Sequence, residues 1–355
     1  MEFIYESESP ICGLTACVSR EKDCYYFYIM GAAEQGFKVL RILWICNRKP
    51  APDELVFPDG PGGGAPMLPA GYVAHDPRGM ELDESKMKIV WYESGDCAAL
   101  FYNNELLCTI PPIAGLYDFP GFSRYAKGQH RYAWGFPDDP DSIIKRAEES
   151  AAFWNYMNRD PWQDIQTTHM KAIEGFFGKH EKYYAIDGGN FPPKAIMQGR
   201  KYGRIYGITL GVSMFPMPKS DIKFGSDSQL FGRIELGFCA QESYSSICEK
   251  MFSYMSGISC MPWRELDILG HGHTIDCRIS DRFTNLLLIN PSLVPNMEQP
   301  VYDEFMGAPV NLLWLVPITD EEMALLNEIK IFEFVKRARI QANIHVFDGK
   351  PKFIR

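Results

Sequence analysis

A chain of 355 residues that is 46% hydrophobic and 14% aromatic carries enough apolar surface to bury one large core or, by its length, two ordinary ones. Its 45 acidic and 36 basic side chains leave a net charge of −9, which argues against nucleic acid and anionic membrane surfaces as partners. Ten cysteines without a CxxC pair point to reduced, buried thiols, and the acidic opening MEFIYESESPICG lacks an apolar export segment, so a soluble cytoplasmic protein is expected.

The first third reads as strands. CYYFYIM (24–30) and KVLRILWIC (38–46) are aromatic and β-branched runs. The stretch from Lys88 to Ile110 predicts three short strands joined at Ser94-Gly95 and Asn103-Asn104. Between these groups, Arg48 to Gly79 is rich in proline and glycine and predicts a long loop. Its GPGGGAP is not a phosphate cradle, because no Gly-Lys-Ser/Thr follows and proline flanks it.

Asp139 to Asp160 places Ile144, Ala147, Ala151 and Trp154 at helical spacing and predicts a connecting helix. A second helix follows at once, with Asp160 as the expected cap, Pro161 at the first helical position and Gln163 completing a capping box. His169 shares the apolar face of that helix with Ile165, Ala172, Ile173 and Phe176, so a hydrogen-bonded core histidine is expected rather than a ligand. Strands are then predicted at 206–215, 231–240, 283–289 and 309–318, the last apolar on both faces and stopped by Pro317. Thr319 and Glu322 form a capping box that starts a helix over 320–335. Within FGRIELGFCA, alternation turns Ile234, Leu236 and Phe238 one way and Arg233 and Glu235 the other, which predicts a solvated charge pair.

The strongest hint of catalysis is HGHTID. His271, His273 and Asp276 supply part of a metal site for a hydrolase, but a zinc centre needs a further ligand, and no histidine follows at the spacing of HxHxDH. No nucleophile elbow, Walker loop or HExxH motif is present, and no cofactor or metal is expected.

TLGVSMFPMP (209–218), FGRIELGF (231–238), PWRELDILGHGHTID (262–276), FTNLLLINPSLVP (283–295) and VNLLWLVPITDEEMALL (310–326) occur in an order that resembles the suppressor-of-fused family, its bacterial members above all. The resemblance runs from about Asp160 to Val335. It implies an α+β domain with a mixed β-sheet packed by helices (160–355), and the strand and helix patterns above add a smaller β-rich module (1–138) and a connecting helix (139–159). It also implies a non-catalytic protein-binding or inhibitory role, such as an immunity protein neutralising a toxin, with a protein or peptide as partner. The animal relatives add a short peptide as a strand. By position, Glu235 matches an acid of the family's FGFEL strand, and Asp227, eight residues earlier, stands where a peptide-contacting acid is found. With Phe224 nearby, these form the expected ligand-binding set; the family's turn tyrosine is replaced here at about Pro216. The alternative is the metal-dependent hydrolase using His271, His273 and Asp276.

Overall fold

The structure, a computed structural model, describes residues 2–33, 36–57 and 65–354, and the backbone divides into two compact units, 1–159 and 160–355. Most of the glycine-rich stretch weighed above as a phosphate cradle lies outside the described residues.

The first unit is built from two sheets. Strands β1 (Glu2–Glu8), β2 (Leu14–Arg20), β3 (Cys24–Ala33) and β4 (Gly36–Asn47) form an antiparallel meander in sequence order. Tyr25, Tyr26, Phe27 and Ile29 in β3 are fully buried, so this strand is covered on both faces and reads as a continuous apolar run. The second sheet has the order β5-β6-β7-β8-β10-β9, from Met87–Trp91, Ala98–Tyr102, Glu105–Ile110, Phe122–Ser123, Ala133–Gly135 and Gln129–His130 respectively. Asn103 and Asn104 close the β6–β7 hairpin with both φ values positive, 52° and 63°, the conformation that two-residue hairpins favour and that asparagine tolerates. Helix α1 (Asp141–Met157) belongs to this unit. It lays Ile143, Ile144, Ala147 and Ala151 on Val90, Tyr92, Ala99 and Phe101, and Trp154 Nε1 donates to the Trp91 carbonyl at 2.8 Å.

The second unit opens with α2 (Trp162–Phe177) and is organised by an eight-stranded mixed sheet. Its strands are β11 (Lys182–Ala185), β12 (Ala195–Lys201), β13 (Arg204–Leu210), β14 (Ile234–Gln241), β15 (Thr274–Asp276), β16 (Phe283–Ile289), β17 (Asn311–Thr319) and β18 (Val346–Phe347). The order is β11-β12-β13-β14-β17-β16-β15, and β18 pairs with β14 beyond the end of its parallel pairing with β17. Short helices α3 (Ser220–Phe224) and α4 (Ser228–Phe231) precede β14; α5 (Ser245–Ile258) and α6 (Met261–Glu265) follow it; α7 (Asp320–Glu328) and α8 (Ile331–Lys336) follow β17. One core contains Ile173, Tyr206, Ile208, Leu210, Leu287, Ile289, Trp314, Val316, Phe334 and Phe353.

Several expectations need correction. Asp160 adopts φ 52°, outside the helix, so α2 is capped at Pro161 with no side-chain bond and the expected box does not form. Pro317 does not end β17, because its missing N–H falls past Trp314, the last residue paired with β14. The predicted helix over 320–335 breaks at Ile329–Lys330, both extended. Ile329 and Ile331 both pack on the core, and one continuous helix would set them roughly 200° apart. The capping box at Thr319 and Glu322 is present, with bonds of 3.2 and 3.0 Å. Finally, Arg233 and Glu235 are buried, not solvated, for the reason that follows.

Candidate functional site

Glu235 is the second residue of β14 and has no solvent exposure. A buried carboxylate is tolerated only where donors surround it. Here Thr209 Oγ1 donates to Oε2 at 2.6 Å, while Oε1 accepts from the Gly211 and Ser213 amides at 3.0 and 3.1 Å and from Ser213 Oγ at 2.6 Å. The amides belong to the turn that ends β13, which Gly211 opens at φ 97°. A Cβ on Gly211 would lie 2.6 Å from the Pro193 carbonyl, so glycine is required there on two counts. The carboxylate thus accepts from amides that the tight turn leaves unpaired.

The node extends to three further segments. His169, on α2, gives its Nδ1 hydrogen to the Ile165 carbonyl at 3.0 Å, since a carbonyl can only accept, and its Nε2 meets Ser213 Oγ at 3.0 Å. Arg233 donates from Nη1 to the Ser213 and Met214 carbonyls at 3.0 and 2.6 Å and lies over the Phe305 ring at 5.2 Å. Tyr302 packs its ring 5.6 Å from that of His169. Its hydroxyl has no hydrogen-bond partner among the described residues, and burial, with the Glu235 charge adding, pushes its pKa well above the ordinary value. The order acid, serine, histidine is not that of a nucleophile triad, in which the imidazole stands between the other two. Ser213 is also fully buried.

Two surface segments adjoin the node. The first, 220–231, runs through α3 and α4 into Arg233. The Leu230 carbonyl accepts from Asn311 Nδ2 at 2.6 Å, and Asp221 Oδ1 accepts from Ser228 Oγ at 3.1 Å. The second, 299–311, carries Tyr302 and Phe305 inward and makes a tight turn at Met306-Gly307, with φ values of 52° and 74° between bridged Phe305 and Ala308. Val301 and Asp303 face a groove of about 340 Å³, whose other wall is the Thr168, Ala172 and Gly175 stripe of α2. At its floor the Lys201 ammonium lies 4.5 Å from the Phe176 ring centre and 3.1 Å from Glu298.

Of the residues expected to bind a ligand, Asp227 is exposed between α3 and α4, and Phe224 is half-buried against Phe231 at 5.7 Å. These two share one surface segment. Glu235 does not join them at solvent: it is buried, and it accepts from Thr209, Gly211 and Ser213. Thr209, Gly211 and Ser213 were not legible as partners of one acid. The one available signal was a glutamate in a strand apolar on both sides, which demands donors from elsewhere.

The HGH turn has a different occupation. His271 is half-buried, desolvation lowers its pKa, and its Nδ1 accepts the Asn290 amide at 3.2 Å, which puts the proton of the neutral ring on Nε2. His273 and Asp276 are exposed, and the Asp276 carbonyl accepts from the Tyr254 hydroxyl at 2.9 Å. Among the described residues, no three His, Cys, Asp or Glu side chains come together as an ion site, so the hydrolase reading has no ligand set here.

No curated protein sequence matches the chain. Among solved structures, a chain titled as the Sufu-Fu complex crystal structure is similar over 53% of this chain and 91% of that one, at 12% identity and a TM-score of 0.38. Residues 196–350, from β12 to just beyond β18, match the family model described as suppressor of fused protein (SUFU). The match includes Thr209, Ser213, Arg233, Glu235, Asp227 and Phe224, and over these residues the second unit is similar to the suppressor-of-fused family.

Proposed function

We infer that the protein is a non-catalytic polypeptide-binding module. Its contact surface is formed by segments 220–231 and 299–311, with Asp227, Phe224 and Leu230 on the first and Val301 and Met306 on the second. The observation that supports this reading is the buried node itself. Taking an ion from water costs several kcal/mol after relaxation, and a network of this kind is retained where it specifies conformation. This one presents no exposed nucleophile or base, and the segments it holds carry Leu230, Val301 and Met306 at 51%, 86% and 51% exposure. Large apolar side chains on a fixed backbone suit recognition of another chain. Glu235 in this reading positions the surface, while Asp227 and Phe224 touch the partner.

The finer form is inhibition of a toxin, as an immunity protein acts. The net charge of −9 favours it, since complementary charge speeds encounter with a basic partner. The test is co-purification from producing cells with tagged wild type, Leu230→Asp, Val301→Asp and, as a control on an exposed residue of the same unit, Ile340→Asp. A partner kept by Ile340→Asp and lost by the other two supports the surface. Retention by all three variants, or no stoichiometric partner for the wild type, counts against it.

A further inference from the structure

The first unit contains a strained loop that the preceding reading does not use. Between β7 and β8, the chain PPIAGLYDFP (111–120) is closed by four backbone bonds: Ala114 to Pro111, Leu116 to Ile113, Gly115 to Phe119 and Phe119 to Leu116, at 2.8, 3.2, 2.8 and 2.9 Å. Phe119 anchors it, buried with its ring 4.7 Å from both Phe122 and Trp134, and the Arg41 guanidinium lies against Gly115.

Two consecutive residues of this loop, Tyr117 and Asp118, adopt φ values of 51° and 60°. Aspartate tolerates the left-handed region; for tyrosine it is a genuine outlier, and the cost is about 1–2 kcal/mol per residue. The strain is not relieved by packing, because Tyr117 is 96% exposed and Ile113 beside it is also exposed. Observed strain held in place by surrounding bonds is a pointer to a ligand-engaging element, and a rigid, pre-oriented aromatic loses little freedom when a partner covers it.

We propose that this loop is a docking element that offers the Tyr117 ring and the Asp118 carboxylate to a cationic side chain of a basic polypeptide. A ring face and a carboxylate on adjacent residues complement a guanidinium or ammonium, by cation–π attraction and by a charge-assisted hydrogen bond. The chain's net charge of −9 draws the same class of partner. The proposal rests on the reading of the protein as a polypeptide-binding module, but its residues lie in the other unit.

The probes are short fluorescent arginine-rich, lysine-rich and glutamate-rich peptides, titrated by anisotropy into the full chain. Arginine-rich peptide is expected to bind, Tyr117→Ala to weaken it about tenfold or more, Asp118→Asn to weaken it a few-fold, and Tyr117→Phe to retain it. Tyr117→Gly, which removes the backbone penalty, should lose binding while its unfolding midpoint is held or raised, separating recognition from folding. Leu230→Asp should bind these peptides normally, so failure of the loop and failure of the second-unit surface give different results. Binding unchanged in Tyr117→Ala, preference for the glutamate-rich peptide (which would assign the site to Arg41), or no binding of either basic peptide overturns the proposal.

Discussion

His345 makes the second unit sensitive to acid. It is 1% exposed, stacked on Trp314 at 4.8 Å with the rings inclined by 26°, and neither ring nitrogen has a hydrogen-bond partner of good geometry among the described residues. Burial, reinforced by Arg204, Lys352 and Lys201, lowers its pKa from 6.5 to about 3. The unfolded chain therefore takes up this proton first. Stability from the neutral, buried ring is fully present above about pH 6.5 and is lost as the pH falls towards 3. Each unit in that window removes about 1.4 kcal/mol, so the unit loses about 3 kcal/mol between pH 7 and 4.5 from this group alone. His345→Phe keeps the stack on Trp314 and removes the titration together with a buried N–H that lacks an acceptor. It should be as stable as the wild type at pH 7 or more so, and its unfolding free energy, by denaturant titration at several pH values, should fall less steeply by about 1.4 kcal/mol per unit. Parallel curves for the two proteins between pH 6 and 4 would refute the reasoning.

Glu235→Ala leaves four donors facing an empty site and should destabilise the second unit by about 3–5 kcal/mol in the same titration, with wild-type stability the contrary result. Gly211→Ala forces a left-handed residue against the Pro193 carbonyl, and a thermal midpoint unchanged from wild type would show that the turn is not held as described. Thr319→Ala removes the α7 cap for about 1 kcal/mol, and Thr319→Ser should recover most of the loss when both are measured by denaturation.

Much of the fold was readable because periodicity is local. Asn103-Asn104, Thr319 with Glu322, and the runs at 283–289 and 309–318 each carry their own signal, and the structure places hairpin, cap and strands there. What could not be read depended on contacts distant in sequence. The break at Ile329 has no glycine or proline to announce it, and the core decides it. The 206–215 strand ends early because Gly211 starts a turn that answers to Glu235, 24 residues away. The site shows the same division. Asp227 and Phe224 could be nominated from position, whereas the burial of Glu235 requires His169, Ser213 and Arg233 to converge from separate elements.

In the proposed function, a buried charge node holds segments 220–231 and 299–311 as a surface for another polypeptide. Site-specific photocrosslinking in producing cells tests it most directly, with the photoreactive residue placed in turn at Leu230, Val301 and the control Ile340. One dominant protein adduct, shared by positions 230 and 301 and absent at 340, is expected. Adducts that are equal at all three positions, or missing from 230 and 301, would contradict it.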